Sequence, residues 1–122
     1  FPKLRVAFAH GGGNFHYTLG RIEQGFIKRP DLCAVDNSNN PKDYMNKFYI
    51  DSLVHSQDSL QFLINKVGTK QIALGTDYPF PLGETIPGDL ISKIKSISKK
   101  DKERLFYGTA LEWLDLDKKL FI

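Results

Sequence analysis

Gln71-Ile72-Ala73-Leu74-Gly75-Thr76-Asp77 is the run on which the fold turns. It has strand length, it is apolar through Leu74, it carries a β-branched residue, and it ends on a carboxylate. Two earlier runs share the pattern. Phe48-Tyr49-Ile50-Asp51-Ser52-Leu53-Val54 leads into His55, and Leu4-Arg5-Val6-Ala7-Phe8-Ala9 ends on His10. Helical spacing fills the gaps between them. Leu19, Ile22, Phe26 and Ile27 recur at three and four residues within 17–28, and Leu60, Leu63, Ile64 and Val67 do so within 58–67, stopping at Gly68. Beyond the third run the spacing predicts helices over 87–97 and 99–106 and a last turn over 110–114. The one loop-like stretch of several residues, Asp36 to Pro41, reads as a connection and not as a domain boundary. Strand and helix in threefold alternation specify parallel α/β structure with crossovers.

Three parallel strands make a poor domain by themselves. A parallel sheet needs both faces covered, and a closed barrel takes about eight strands and about 250 residues. Residues 1–122 are therefore read as a single partial domain, an α/β portion of a larger barrel or sheet. The start at Phe1-Pro2, without Met, reads as an interior one.

Composition excludes several classes. A chain that is 41% hydrophobic and 25% charged has the apolar mass for a core. No apolar run approaches the roughly 18 residues that a membrane span requires. The net charge is +3, yet residues 1–92 carry nine basic and nine acidic side chains, so the whole excess falls after Leu90. There, charge alternates with apolar residues as on a solvated helix face, unlike the dense basic patch of a nucleic-acid binder. One cysteine, Cys33, rules out an internal disulfide, fits a reducing, cytoplasmic setting, and reads as a small buried apolar residue.

Chemistry in a βα barrel lies at the C-terminal ends of its strands. His10, His55 and Asp77 occupy those ends. His10 and Asp77 are the candidate catalytic pair, with Asp77 the candidate ligand of a divalent cation. Each also has a plainer explanation: His10 satisfying a loop, Asp77 capping a turn, His55 hydrogen-bonding into the following helix. Gly11-Gly12-Gly13 lets a substrate approach the backbone closely. It lacks the spacing of either nucleotide-binding glycine loop, so a phosphate cradle is not expected. Phe80, in the proline-stiffened loop Tyr78-Pro79-Phe80-Pro81, is an expected apolar wall, and Trp113 is expected to dock the last helix.

At this point the chain resembles a known family. Ala9-His10-Gly11-Gly12-Gly13, Tyr17-Thr18-Leu19-Gly20-Arg21-Ile22, Arg29-Pro30-Asp31-Leu32-Cys33-Ala34, Asp51-Ser52-Leu53-Val54-His55 and Gly75-Thr76-Asp77-Tyr78-Pro79-Phe80-Pro81-Leu82-Gly83-Glu84 are similar to metal-dependent decarboxylases of the amidohydrolase superfamily. The resemblance implies a C-terminal portion, about strands six to eight with their helices, of a (β/α)8 TIM barrel. It implies Asp77 as a ligand of zinc, His10 as the catalytic histidine beside the metal, Arg21 as an arginine reaching into a neighbouring subunit to bind a substrate carboxylate, and Phe80 as pocket wall. Arg29 is a further candidate for substrate binding or the interface.

The implied activity is zinc-dependent, non-oxidative decarboxylation of a muconate semialdehyde of the kynurenine branch of tryptophan breakdown. The alternatives are another decarboxylase or hydrolase of aromatic acids, or an inactive truncated piece. The implied partners are a small dicarboxylate substrate and a second copy in a cytoplasmic homodimer, with no nucleic acid and no membrane. The family's remaining ligands, an N-terminal His-x-His and a histidine ending strand five, do not occur in this sequence. His16 stands where the family usually has proline, and Thr109 where it usually has asparagine.

Overall fold

A computed structural model describes residues 3–121, so the expectation attached to Phe1-Pro2 lies outside the described residues. The three apolar runs form three strands, β1 (Ala7–Phe8), β2 (Tyr49–Asp51) and β3 (Ile72–Ala73). They pair in parallel in the order β1-β2-β3, with Phe8 opposite Ile50 and Asp51 opposite Ala73. The paired segments are much shorter than the apolar runs. The strands stop at Phe8, Asp51 and Ala73, two to four residues before His10, His55 and Asp77, which adopt left-handed backbone angles at φ 56°, 53° and 57°.

Helices α1 (Phe15–Lys28) and α3 (Gln57–Val67) fall where the apolar spacing places them. The Ser56 side chain accepts a hydrogen bond from the Ser59 amide at 3.3 Å and caps α3, and Gly68 ends it at φ 74°. Between α1 and β2 lie two short helical pieces not expected from periodicity, α2 (Pro30–Cys33) and a 3₁₀ turn at Pro41–Tyr44. Each begins on proline, whose fixed φ suits a first helical position.

The expected helix over 87–97 is confined to α4 (Asp89–Lys93), because Gly88 before it is left-handed and Ile94 after it is extended. That extension brings Ile94 into the core. The expected helix over 99–106 and the last turn over 110–114 are one continuous rod. α5 (Lys99–Glu103) passes through a π-type turn at Arg104–Gly108 into α6 (Thr109–Leu114). The rod continues because Gly108 keeps helical angles, and Thr109 anchors it: its buried hydroxyl donates to the Thr69 carbonyl at 2.8 Å, just ahead of β3.

The core joins Ile50 and Ile72 of the sheet to Leu60 and Leu63 of α3, Ile91 and Ile94 at α4, and Leu105 of the π-type turn. Burial of each such side chain is worth about 1.5–3 kcal/mol. These contacts lock the helical layer to one side of the sheet and hold the strand ends in place. Trp113 docks the last helix as expected, its indole N–H reaching the Arg5 carbonyl at 3.5 Å. The basic tail is a solvated face, with Lys93, Lys95, Lys99, Lys100, Lys118 and Lys119 all exposed. Among the described residues no helix is long and apolar enough to cross a membrane.

Candidate active site

His10 and Asp77 meet. The imidazole Nε2 lies 3.6 Å from Asp77 Oδ1, with the histidine side chain 62% exposed and the carboxylate 24% exposed. Both border a cleft of about 730 Å3, joined by His55 and by the apolar side chains Val54, Phe62 and Leu82. The cleft opens at the C-terminal edge of the sheet. Left-handed backbone costs an L-residue about 1–2 kcal/mol. It recurs at all three strand ends, and each of these residues borders the same cleft. Histidine and aspartate tolerate that conformation better than most residues. Strain concentrated this way marks positions that the surrounding structure over-determines.

The other candidates lie elsewhere. Phe80 is 66% exposed and does not line the cleft. Its loop folds back on itself, with the Phe80 amide donating to the Asp77 carbonyl at 2.8 Å, Gly83 to Phe80 at 2.9 Å and Glu84 to Thr76 at 2.9 Å. Leu82 is thereby placed over the cleft instead. Arg21 is exposed on α1, one turn beyond Tyr17, outside the cleft to which Tyr17 contributes. Arg29 is engaged with Asp31, its Nε at 2.9 Å from Oδ1 and its Nη2 at 2.7 Å from Oδ2. That guanidinium holds the Asp31 carboxyl below the usual carboxylate range. Cys33 is not buried, contrary to expectation: it ends the four-residue helix α2, which buries none of its side chains.

His16 is the feature that sequence reasoning missed. It is only 3% exposed, and neither ring nitrogen has a hydrogen-bond partner. Phe15 and Phe48 pack on the ring with centroids at 5.4 and 5.8 Å. Burial pushes its pKa below the ordinary value of 6.5, and the nearby Gly11 backbone opposes that shift only in part. The imidazole is therefore neutral in the fold, while an unfolded chain protonates it near pH 6.5. Stability is fully present above that pH and is lost as pH falls toward the depressed folded value. Urea midpoints at about pH 7.5 and about pH 5.5 should differ less in His16→Phe than in the parent. An equal acid loss in both proteins would assign the effect to other groups.

A carboxylate beside an imidazole is the right chemistry for a divalent transition metal. Three donors do not converge, however: among the described residues no group of three His, Cys, Asp or Glu can hold an ion. The pair His10 and Asp77 has the donor types of a metal site but is by itself short of a full ligand set.

Parallel strands, helical crossovers, and a histidine–carboxylate pair at the carboxyl edge of the sheet are the arrangement of βα enzymes, which carry their chemistry at that edge. The chain belongs to the amidohydrolase family, whose model matches residues 1–116. It is 57% identical over 121 residues to the 2-amino-3-carboxymuconate-6-semialdehyde decarboxylase of Dictyostelium discoideum, covering 99% of this chain and 34% of that protein. It is 46% identical over 120 residues to the protein of the same name from Caenorhabditis elegans, covering 98% and 30%. The chain thus spans 30–34% of the length of these curated relatives. Among solved structures, 5-carboxyvanillate decarboxylase from Sphingomonas paucimobilis superposes with a TM-score of 0.81 at 20% identity, covering 96% of this chain and 35% of that one. A dihydroxybenzoic acid decarboxylase from Polaromonas with bound manganese superposes at 0.75 and 23% identity, covering 100% and 37%. At these identities the likeness shows the fold alone.

Proposed function

We propose that this chain is the C-terminal part of a (β/α)8 barrel, contributing strands six to eight, in a zinc-dependent decarboxylase. The substrate is 2-amino-3-carboxymuconate 6-semialdehyde and the product 2-aminomuconate 6-semialdehyde, in the kynurenine branch of tryptophan degradation. The observation that carries this reading is the His10–Asp77 approach of 3.6 Å at the cleft mouth, in a chain 57% identical to a relative of that name. The working unit is a cytoplasmic homodimer, and the 122-residue chain by itself is inactive.

Asp77 would hold a divalent ion together with ligands from the rest of the barrel. When bound, a divalent ion supplies Lewis acidity and makes water nucleophilic near neutral pH. His10 can accept a proton at Nε2 and return it later. The scissile C–C bond pair stays with the substrate carbon as CO2 departs, and that carbon takes up one proton. The balance needs no oxidant. Val54, Phe62 and Leu82 keep the neighbouring wall of the cleft apolar, which strengthens the electrostatic contacts of the polar edge. Arg21, exposed and outside the lining of its own cleft, serves a second copy, where its planar fork suits a dicarboxylate. Phe80 joins the wall on the side that other strands complete.

The test is spectrophotometric and uses a full-length protein that carries this chain. The semialdehyde's near-ultraviolet absorbance should fall on addition of enzyme, stop after chelation, and resume with zinc. Turnover of a dihydroxybenzoate with no loss of the semialdehyde would replace this substrate by an aromatic acid.

A further inference from the structure

Asp51 lies at the end of the central strand and does not line the cleft, yet its carboxylate meets the backbone that follows each of the three strands, next to His10 and two residues short of His55 and Asp77. Oδ1 accepts a hydrogen bond from the Gly11 amide at 2.9 Å and from the Leu53 amide at 3.1 Å. On the other side its carboxylate lies against Gly75: a Cβ built there would sit 2.6 Å from Asp51 Cβ and 2.7 Å from Oδ2. Gly11 directly follows His10, Leu53 precedes His55 by two residues, and Gly75 precedes Asp77 by two. We infer that Asp51 is a positioning residue, the single carboxylate that sets the register of His10 against Asp77.

The reason is geometric. The Gly11 N–H belongs to the same rigid peptide plane as the His10 carbonyl, so anchoring it restrains ψ of His10 and with it the direction of the His10 Cα–Cβ bond, from which the imidazole projects. That anchor is needed because His10 and Gly11 both hold left-handed φ, at 56° and 63°, a conformation an L-residue leaves readily when unsupported. A hydrogen bond to a carboxylate is stronger than one between neutral groups, and so opposes that departure. Gly75 completes the device. Without a side chain, β3 passes close beside Asp51, and the chain continues directly to Asp77. No contact of Asp51 with substrate is required.

The functional arm of the test rests on the proposed decarboxylation; the exchange arm does not. In the full-length protein, Asp51→Ala is expected to lower kcat about a hundredfold, the scale of an ångström-sized misplacement, while KM changes by less than about threefold. Asp51→Asn keeps an acceptor oxygen in place and should recover most of that loss. Amide exchange in residues 9–14 should quicken about tenfold in Asp51→Ala and stay near the parent rate in Asp51→Asn. If Asp51→Ala fails to fold, Gly75→Ala is the substitute, because its methyl displaces the carboxylate and should reproduce both effects. Parent-like kcat and exchange in Asp51→Ala, or an Asp51→Asn variant as impaired as the alanine one, would overturn the assignment. Absence of decarboxylation in the parent would defeat the proposed function alone, since exchange at residues 9–14 still reads Asp51.

Discussion

His10→Ala in the full-length protein is expected to lose about a thousandfold in decarboxylation rate while retaining its bound metal. Proton transfer by a positioned side chain contributes about 10²–10⁴-fold to an enzymatic rate. In this chain the imidazole stands at the cleft on a backbone held at φ 56°, 3.6 Å from the Asp77 carboxylate. Alanine removes the proton carrier and leaves Asp77 in place, so metal content, read by elemental analysis after gel filtration, should stay at the parent's ratio. His10→Asn, which tolerates left-handed backbone and keeps a donor, should fare no better, because an amide does not titrate. Parent-like turnover in His10→Ala would remove the proton-carrying role; loss of metal along with activity would make His10 a ligand instead.

The strand ends were legible because apolar runs of strand length announce where buried strands stop, and the residues that follow such a stop in a βα unit face the mouth. For that reason His10 and Asp77 could be paired before any contact was known. Strand length was not legible in the same way. The strands stop at Phe8, Asp51 and Ala73, inside the apolar runs, and hydrophobic periodicity carries no trace of that.

Leu82 in place of Phe80 over the cleft follows from backbone bonds inside the loop, from Asp77 to Phe80 and from Thr76 to Glu84, which no count of aromatic residues reveals. Asp51 and Gly75 touch only because Asp51 lies opposite Ala73 in the ladder, a register that becomes visible once the strands are aligned. His16 reads in sequence as an unusual residue in the proline position of a family loop. Its burial between Phe15 and Phe48 depends on how α1 leans on the strand, which is a tertiary property. Cys33 shows the converse: a residue type most often buried stands exposed because its four-residue helix has no inner face to offer.

Asp77→Asn separates charge from shape at the other half of the pair. Asparagine adopts φ near 57° as readily as aspartate does, so the end of β3 and the turn made by the Phe80 amide should persist, and the unfolding midpoint should move little. The substitution removes the anionic oxygen with which a divalent ion would pair. Bound metal should therefore fall well below one per subunit, and turnover should drop by more than the His10→Ala loss, because ion and proton carrier fail together.

Raising free zinc should restore part of the activity of Asp77→Asn and none of that of His10→Ala. The double variant carries the sharper expectation. Groups that act as a unit are not additive, so His10→Ala placed on Asp77→Asn should cost almost nothing further. If instead the two losses multiply, the imidazole and the carboxylate act on separate events, and their 3.6 Å approach is a contact within the fold and not the working pair of a single step.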